Sequence, residues 1–242
     1  MLPLLIIKTG ETFPQIRSEH GDFEDWIRIC FEGSEITFKI HDVQKIYPYP
    51  EPADLSGIII TGSHAMVTEP PAWYDGLVSW IKRAAAQRHL PILGICFGHQ
   101  LLADAFGGKV DYNVRGREIG TRPIDVTPAG IINPLFNGLP PGFMAQESHA
   151  QEVTKLPPEA IHLATNDHAA VQAFHLPPGV WGIQFHPEFS SVVMSEYVNL
   201  LRDQITAEGL DPDKIRSAVQ PAPHAKMIFL NFIKVIETGA SR

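Results

Sequence analysis

Cysteine is nearly absent, with two residues in 242, Cys30 and Cys96. A disulfide framework is thereby excluded, a reducing compartment fits, and each thiol has to be explained alone. Positive charge is also scarce: 19 Lys and Arg against 27 Asp and Glu leave a net charge of −8. The broad basic field that draws nucleic-acid phosphates is missing. No apolar run approaches the ~20 residues that a bilayer span requires. The run Leu2 to Ile7 is broken by Pro3, ends at Lys8 and lacks a basic flank, so it reads as too short for a signal peptide. Neither Gly-x-x-x-x-Gly-Lys-Ser/Thr nor Gly-x-Gly-x-x-Gly occurs, and the two cysteines and scattered histidines offer no zinc spacing. These absences predict a soluble, cytoplasmic protein that acts on a small molecule, with no metal, cofactor, nucleic-acid or membrane partner.

What is present points to one α/β domain over residues 1–242. Hydrophobic residues make up 44% of the chain and charged ones 19%, enough to bury one substantial core. Leu4 to Ile7, Thr37 to Ile40, Gly57 to Ile60 and Pro91 to Ile95 read as strands buried on both faces. The stripe Trp73, Leu77, Trp80, Ile81, Ala84 gives one apolar helix face between the last two. Strand, helix, strand implies parallel pairing through crossover helices. From Lys109 to Glu188 strands and Pro/Gly turns dominate, which predicts antiparallel strands added to the same sheet or a small second sheet against it. A helix is expected from Ser191, a short one in the polar stretch Thr206 to His224, and a last one through Ile228, Phe232, Val235 and Ile236.

Cys30 closes the i, i+3, i+4, i+7 stripe Phe23, Trp26, Ile27, Cys30 and reads as an inert core thiol. Cys96 stands elsewhere. The strand Pro91 to Ile95 runs into Gly94-Ile95-Cys96-Phe97-Gly98, then into the helical stripe Leu101, Leu102, Ala105, Phe106 and the stop Gly107-Gly108. Strand, tight turn and helix around a nucleophile between glycines is the pattern of a nucleophile elbow. It sets the sulfur at the positive end of a helix dipole, which favours the anionic form of a thiol.

A second apolar run, Val180 to Phe185, ends in His186-Pro187-Glu188. It delivers an imidazole and a carboxylate to one sheet edge, with Pro187 fixing the exit direction and Glu188 able to orient the ring. His20, His41, His89 and His224 lie in polar stretches and are expected to be solvated.

The pair Gly94-Ile95-Cys96-Phe97-Gly98-His99-Gln100 and Gly182-Ile183-Gln184-Phe185-His186-Pro187-Glu188 resembles the class I glutamine amidotransferases. The surrounding sequence, from about Leu4 to about Asn199, looks most like the guanylate-synthetase-type glutaminase domains. The resemblance implies an open, mostly parallel, flavodoxin-like sheet with helices on both faces. It also implies attack of a thiolate on the γ-carbonyl of glutamine, release of ammonia, and hydrolysis of a γ-glutamyl thioester. Cys96 matches the nucleophile, His186 the general base and acid, and Glu188 the orienting carboxylate. Gln100 matches a substrate-binding glutamine. Thr61-Gly62-Ser63-His64 matches the oxyanion loop, with the hole formed by the N–H groups of Ser63 and Phe97. Ser148, Ala150 and Gln151 match the segment that touches the α-amino and carboxylate end of the substrate. Ser63 and His64 depart from the Gly and Pro of that family's loop; a positive φ at position 63 would cost on the order of 1 kcal/mol, and His64 is an additional candidate donor.

Three functions follow. A glutaminase or amidotransferase-like hydrolase would hand its ammonia to a synthetase site on a separate polypeptide, since no nucleotide-binding motif occurs in this chain. A γ-glutamyl peptidase would use the same thioester on glutathione-like conjugates. A non-catalytic regulatory protein would have lost a member of the triad, and all three are present. Arg115 and Arg117, in the turn from Tyr112 to Arg117, are candidates to pair with a substrate carboxylate at the exit.

Overall fold

The computed structural model describes residues 2–45, 48–87 and 90–239. Its centre is a nine-stranded sheet in which five strands run parallel in the order β2 (Phe38–Asp42), β1 (Leu4–Lys8), β3 (Gly57–Ile60), β4 (Ile92–Ile95) and β11 (Val180–Ile183). This is the doubly wound, flavodoxin-like arrangement, in which a ligand site forms beyond the carboxyl ends of the strands. Four antiparallel strands continue the sheet in the order β10 (Ala173–Leu176), β9 (Ile161–Thr165), β6 (Glu118–Val126) and β7 (Gly142–His149). A separate antiparallel pair joins β5 (Lys109–Tyr112) to β8 (Gln151–Lys155). Both outcomes foreseen for the second half therefore occur together.

Burial explains the central strands. Residues Leu4 to Lys8, Gly57 to Ile60, Ile92 to Ile95 and Val180 to Ile183 are all buried, as expected of parallel strands covered on both faces. Lys8 belongs to this set and does not end it: its Nζ lies 2.8 Å from Asp22 and 2.6 Å from Glu24, the pairing that a buried ammonium requires. The strand anticipated at Thr37 to Ile40 runs instead from Phe38 to Asp42. Lys39 and Ile40 are exposed there, because this strand forms the sheet edge. The polar setting of His41 predicts exposure, yet the ring is 2% exposed and lies 4.8 Å from Tyr49. His20 is half-buried and His224 exposed, while His89 lies outside the described residues.

The helices are α1 (Pro14–His20), α2 (Phe23–Ile29), α3 (Tyr74–Ala85), α4 (Phe97–Ala105), α5 (Pro128–Ile131), α6 (Ser191–Leu200), α7 (Arg202–Ala207), α8 (Pro212–Ser217) and α9 (Met227–Thr238). One apolar cluster joins the inward faces of β1, β3, β4 and β11 to Ile228, Phe229 and Phe232 of α9. A second covers the other face with Leu77, Trp80 and Ile81 of α3 and Leu101 and Leu102 of α4. A third packs Phe23, Trp26 and Phe189 against Met194, Tyr197 and Val198 of α6. Cys30 caps α2 with its thiol half-buried against the first cluster. Burial, aided by the nearby Glu188 charge, pushes that thiol up to about 11, so it stays protonated at neutral pH. Among the described residues no helix is long and apolar enough to cross a membrane.

Candidate active site

The sheet topology carries the two local motifs to neighbouring strand ends. β4 and β11 are adjacent and in register, with Ile95 opposite Ile183, so Cys96 and the segment after Ile183 leave the sheet side by side. Gly94 and Gly98 are required there by close packing. A Cβ at Gly94 would stand 2.4 Å from the Gly98 carbonyl oxygen, and one at Gly98 would stand 2.6 Å from that of Ile60. With both glycines, the first turn of α4 presses against β4 and β3. Cys96 adopts φ 52° and ψ −102° as the N-cap of α4, a conformation that costs a non-glycine residue on the order of 1–3 kcal/mol.

His186 is 3% exposed and Glu188 4%. His186 Nδ1 and Glu188 Oε1 are 2.7 Å apart, and the Cys96 side chain lies close enough to act electrostatically on the ring. Phe189 stacks on the imidazole at 4.1 Å between ring centroids. Burial opposes a charge on His186, but Glu188 and Cys96 outweigh it and the imidazole is pushed up to about 10. The sulfur also lies 3.8 Å from the Ser148 carbonyl oxygen.

The loop Thr61 to His64 closes against this group. A Cβ on Gly62 would meet His186 Cε1 at 2.9 Å and the Cys96 Cβ at 3.7 Å. Ser63 does not take a positive φ; among the described residues only Cys96 and Glu159 do so without being glycine. The strain foreseen at position 63 is therefore absent. Its hydroxyl donates to the Thr9 carbonyl oxygen at 3.1 Å and accepts from the Ala65 N–H at 3.1 Å, fixing the loop. Among the described residues the N–H groups of Ser63 and Phe97 donate to no other group. His64 is exposed on one side and packs on Phe13 at 4.5 Å on the other; partial desolvation there lowers its pKa, which leaves a neutral ring.

A cavity of about 250 Å³ opens above the sulfur. Ser63, Phe97, Gln100, Ser148, Ala150 and Gln151 all line it together with Cys96, so the site residues anticipated on this side converge. Two of them are tied up more than sequence suggests. The Gln100 amide nitrogen donates to the Gln151 carbonyl at 2.8 Å and to Gln184 Oε1 at 3.0 Å, which fixes its side chain at the cavity wall. The Gln151 side chain holds the Val67 N–H at 3.1 Å and Thr68 Oγ1 at 2.5 Å, bracing the loop at the rim. Arg117 borders the cavity, whereas Arg115 is exposed and does not.

One group escapes sequence reasoning. His149 Nδ1 faces the Gln151 carbonyl oxygen at 2.8 Å, and its Nε2 lies 3.1 Å from Glu118 and 3.4 Å from Glu147. A carbonyl oxygen only accepts, so Nδ1 carries a proton, and Nε2 faces two carboxylates. Burial opposes the charge, but these acids raise His149 well above its ordinary value. An imidazolium clamped between β6 and β7 thus anchors the segment Ser148 to Gln151. The only signal in the sequence is the alternation of Glu147 and His149 on one strand face; Glu118 gives none.

The chain has similar sequences and similar folds among known proteins. The family described as glutamine amidotransferase class-I matches residues 22–202. A glutamine amidotransferase-like protein of Schizosaccharomyces pombe is 26% identical over 240 residues, covering 90% of this chain and 92% of that one. A glutamine-hydrolysing GMP synthase subunit of Pyrococcus furiosus is 37% identical over 153 residues, covering 60% of this chain and 75% of that one. Among solved structures, a glutamine amidotransferase from Methylobacillus flagellatus reaches a TM-score of 0.75 at 25% identity, over 97% of this chain and 95% of that one. Another, from Thermotoga maritima, shares the fold with a TM-score of 0.74 at 19% identity, over 99% of each chain. With the matched segment spanning the elbow and the His186–Glu188 strand end, the chain belongs to the class-I glutamine amidotransferase family.

Proposed function

We propose that the chain hydrolyses a γ-glutamyl amide, with glutamine as substrate, through a covalent intermediate on Cys96. The observation that carries this reading is the Cys96 sulfur on its elbow at the end of β4, beside the β11 strand end that presents His186 with its Nδ1 2.7 Å from Glu188. The sulfur, as thiolate, attacks the γ-carbonyl carbon and the carbonyl electrons move to oxygen. The N–H groups of Ser63 and Phe97 stabilise that oxyanion. His186 gives its proton to the departing nitrogen as the C–N bond breaks, leaving a γ-glutamyl thioester. His186 then takes a proton from water, which attacks the thioester; glutamate leaves and the thiolate returns. Glu188 holds the ring and its charge and transfers no proton. Gln100, Ser148, Ala150 and Gln151 border the acyl group. The ammonia acceptor is a synthetase site on a separate polypeptide.

A second reading, the γ-glutamyl peptidase, draws on the cavity walls. Phe13, Met66, Tyr197 and Leu201 line it alongside the sulfur, an apolar surface larger than departing ammonia needs. Assaying ammonia release from L-glutamine beside cleavage of glutathione separates the two. Cys96→Ala should abolish both, His186→Ala nearly so, and Glu188→Ala should leave a measurable remnant. A Cys96→Ala protein that kept more than a few per cent of wild-type hydrolysis would overturn the assignment.

A further inference from the structure

The cavity above Cys96 is asymmetric in charge. Among the described residues that line it there is no aspartate or glutamate, and Arg117 is the only lysine or arginine. Of the other titratable groups that line it, partial desolvation keeps His64 neutral and the His149 charge is taken up by Glu118 and Glu147, while Arg117 is ion-paired with Glu208, which does not line the cavity. The Arg117 guanidinium is held from one side. Its Nε donates to Glu208 Oε2 at 3.1 Å, and its Nη2 to Glu208 Oε1 at 3.1 Å and to Gln204 Oε1 at 3.3 Å. Nη1 makes no hydrogen bond among the described residues, so its two N–H groups stay available while both of those on Nη2 are engaged. A pre-oriented guanidinium with a free Nη1 can donate a charge-assisted hydrogen bond to a carboxylate.

Its position says which carboxylate. In the β6–β7 ladder Glu118 pairs with His149 and Ile119 with Ser148, and Arg117 and Ala150, each one residue beyond that ladder, both line the cavity. The Ser148 carbonyl lies 3.8 Å from the sulfur. An acyl group bound to Cys96 and lying along Ser148 to Ala150 extends within the cavity that Arg117 also lines. In a γ-glutamyl group the far end is the α-carboxylate.

We infer that Arg117, oriented by Glu208 and Gln204, is a carboxylate-recognition residue of the cavity and that it binds the α-carboxylate of the γ-glutamyl group. The inference rests on the hydrolase reading above. It differs from the sequence expectation, which set Arg115 and Arg117 at the exit against a carboxylate of the leaving group. Arg117 then selects for the acyl half of the substrate and serves a glutaminase and a γ-glutamyl peptidase alike.

The test uses the whole protein as wild type, Arg117→Ala and Arg117→Lys with three amides: L-glutamine, γ-glutamylglycine, which adds a carboxylate on the leaving group, and 4-aminobutanamide, which lacks the α-carboxylate. Arg117→Ala should raise KM for glutamine and for γ-glutamylglycine by about tenfold to a hundredfold with kcat little changed, the scale of a lost charge-assisted pair. Toward 4-aminobutanamide it should match the wild type, which also shows that the variant is folded. Arg117→Lys, which keeps the charge and loses the fork, should fall between. An equal loss on glutamine and 4-aminobutanamide would make Arg117 a structural residue and overturn the inference. A loss confined to γ-glutamylglycine would move the carboxylate to the leaving group and overturn it as well. A wild-type protein inactive on all three amides would instead overturn the hydrolase reading, and the inference would fall with it.

Discussion

Cys96 combines two demands that conflict at a single residue. Projecting a sulfur from the tip of a strand-to-helix turn requires φ 52° and ψ −102°, a backbone region that glycine enters freely and other residues enter at a cost. The conformation is held because glycines at 94 and 98 let backbone from α4 and β3 close around the turn. Comparing two variants that both lack the thiol isolates the strain. Cys96→Ala keeps a Cβ in the unfavourable conformation, whereas Cys96→Gly removes it. Cys96→Gly should therefore unfold at the higher temperature, by about 1–2 kcal/mol or a few degrees for a chain of this size. Equal melting temperatures, or a less stable glycine variant, would show that the turn stores no strain.

Between β6 and β7 the energetic question is a strand pair stapled by buried charge. Glu147 is fully buried, and its oxygens accept no hydrogen bond; the one cation beside it, His149, is shared with Glu118. Burial, and then repulsion from Glu118, raise the Glu147 carboxyl from its ordinary 4.5 to about 7. For a group raised in the folded state, the contribution to stability is complete below pH 4.5 and is lost as the pH climbs through about 7. Glu147→Gln stays neutral at every pH, so its melting temperature relative to wild type should rise by a few degrees between pH 5 and pH 8. Parallel curves for the two proteins over that interval would show that Glu147 does not titrate there. This staple also marks the boundary of what the sequence makes legible. Central strands announce themselves as unbroken apolar runs because both faces are covered, whichever strand is the neighbour. β2 misleads because an edge has one open side, and β6 is hidden because its nine residues mix Glu118, Thr121, Arg122, Pro123 and Asp125 with apolar ones. The catalytic candidates were readable because each sits in a compact motif, Cys96 between glycines and His186 two residues from Glu188. Pairs joined only by the tertiary fold, such as Glu118 with His149 or Arg117 with Glu208, leave no local trace.

Over the whole molecule the family match and the packing have different extents. The match ends at residue 202, yet α9, well beyond it, supplies Ile228, Phe229, Phe232 and Val235 to the cluster that covers the inward faces of β1, β3, β4 and β11. Asn231 fastens this helix by donating to the Leu135 and Asn137 carbonyl oxygens at 3.0 and 2.8 Å. The ring of Phe232 is fully buried and lies edge-on to Trp181 of β11 at 6.5 Å, while the cavity residues are contributed by other elements. Stability and chemistry should therefore separate at this position. Removing a buried phenyl ring costs the lost transfer free energy plus that of the cavity left behind, about 3–5 kcal/mol. At about 2–4 °C per kcal/mol for a chain of this length, Phe232→Ala should melt roughly 6–20 °C below wild type. Assayed well below its own melting temperature, the same variant should keep the wild-type KM and most of kcat toward glutamine. A rise in KM at a temperature where circular dichroism reports a folded protein would show that α9 shapes the cavity through β11, and that the two functions of the sheet are not separable.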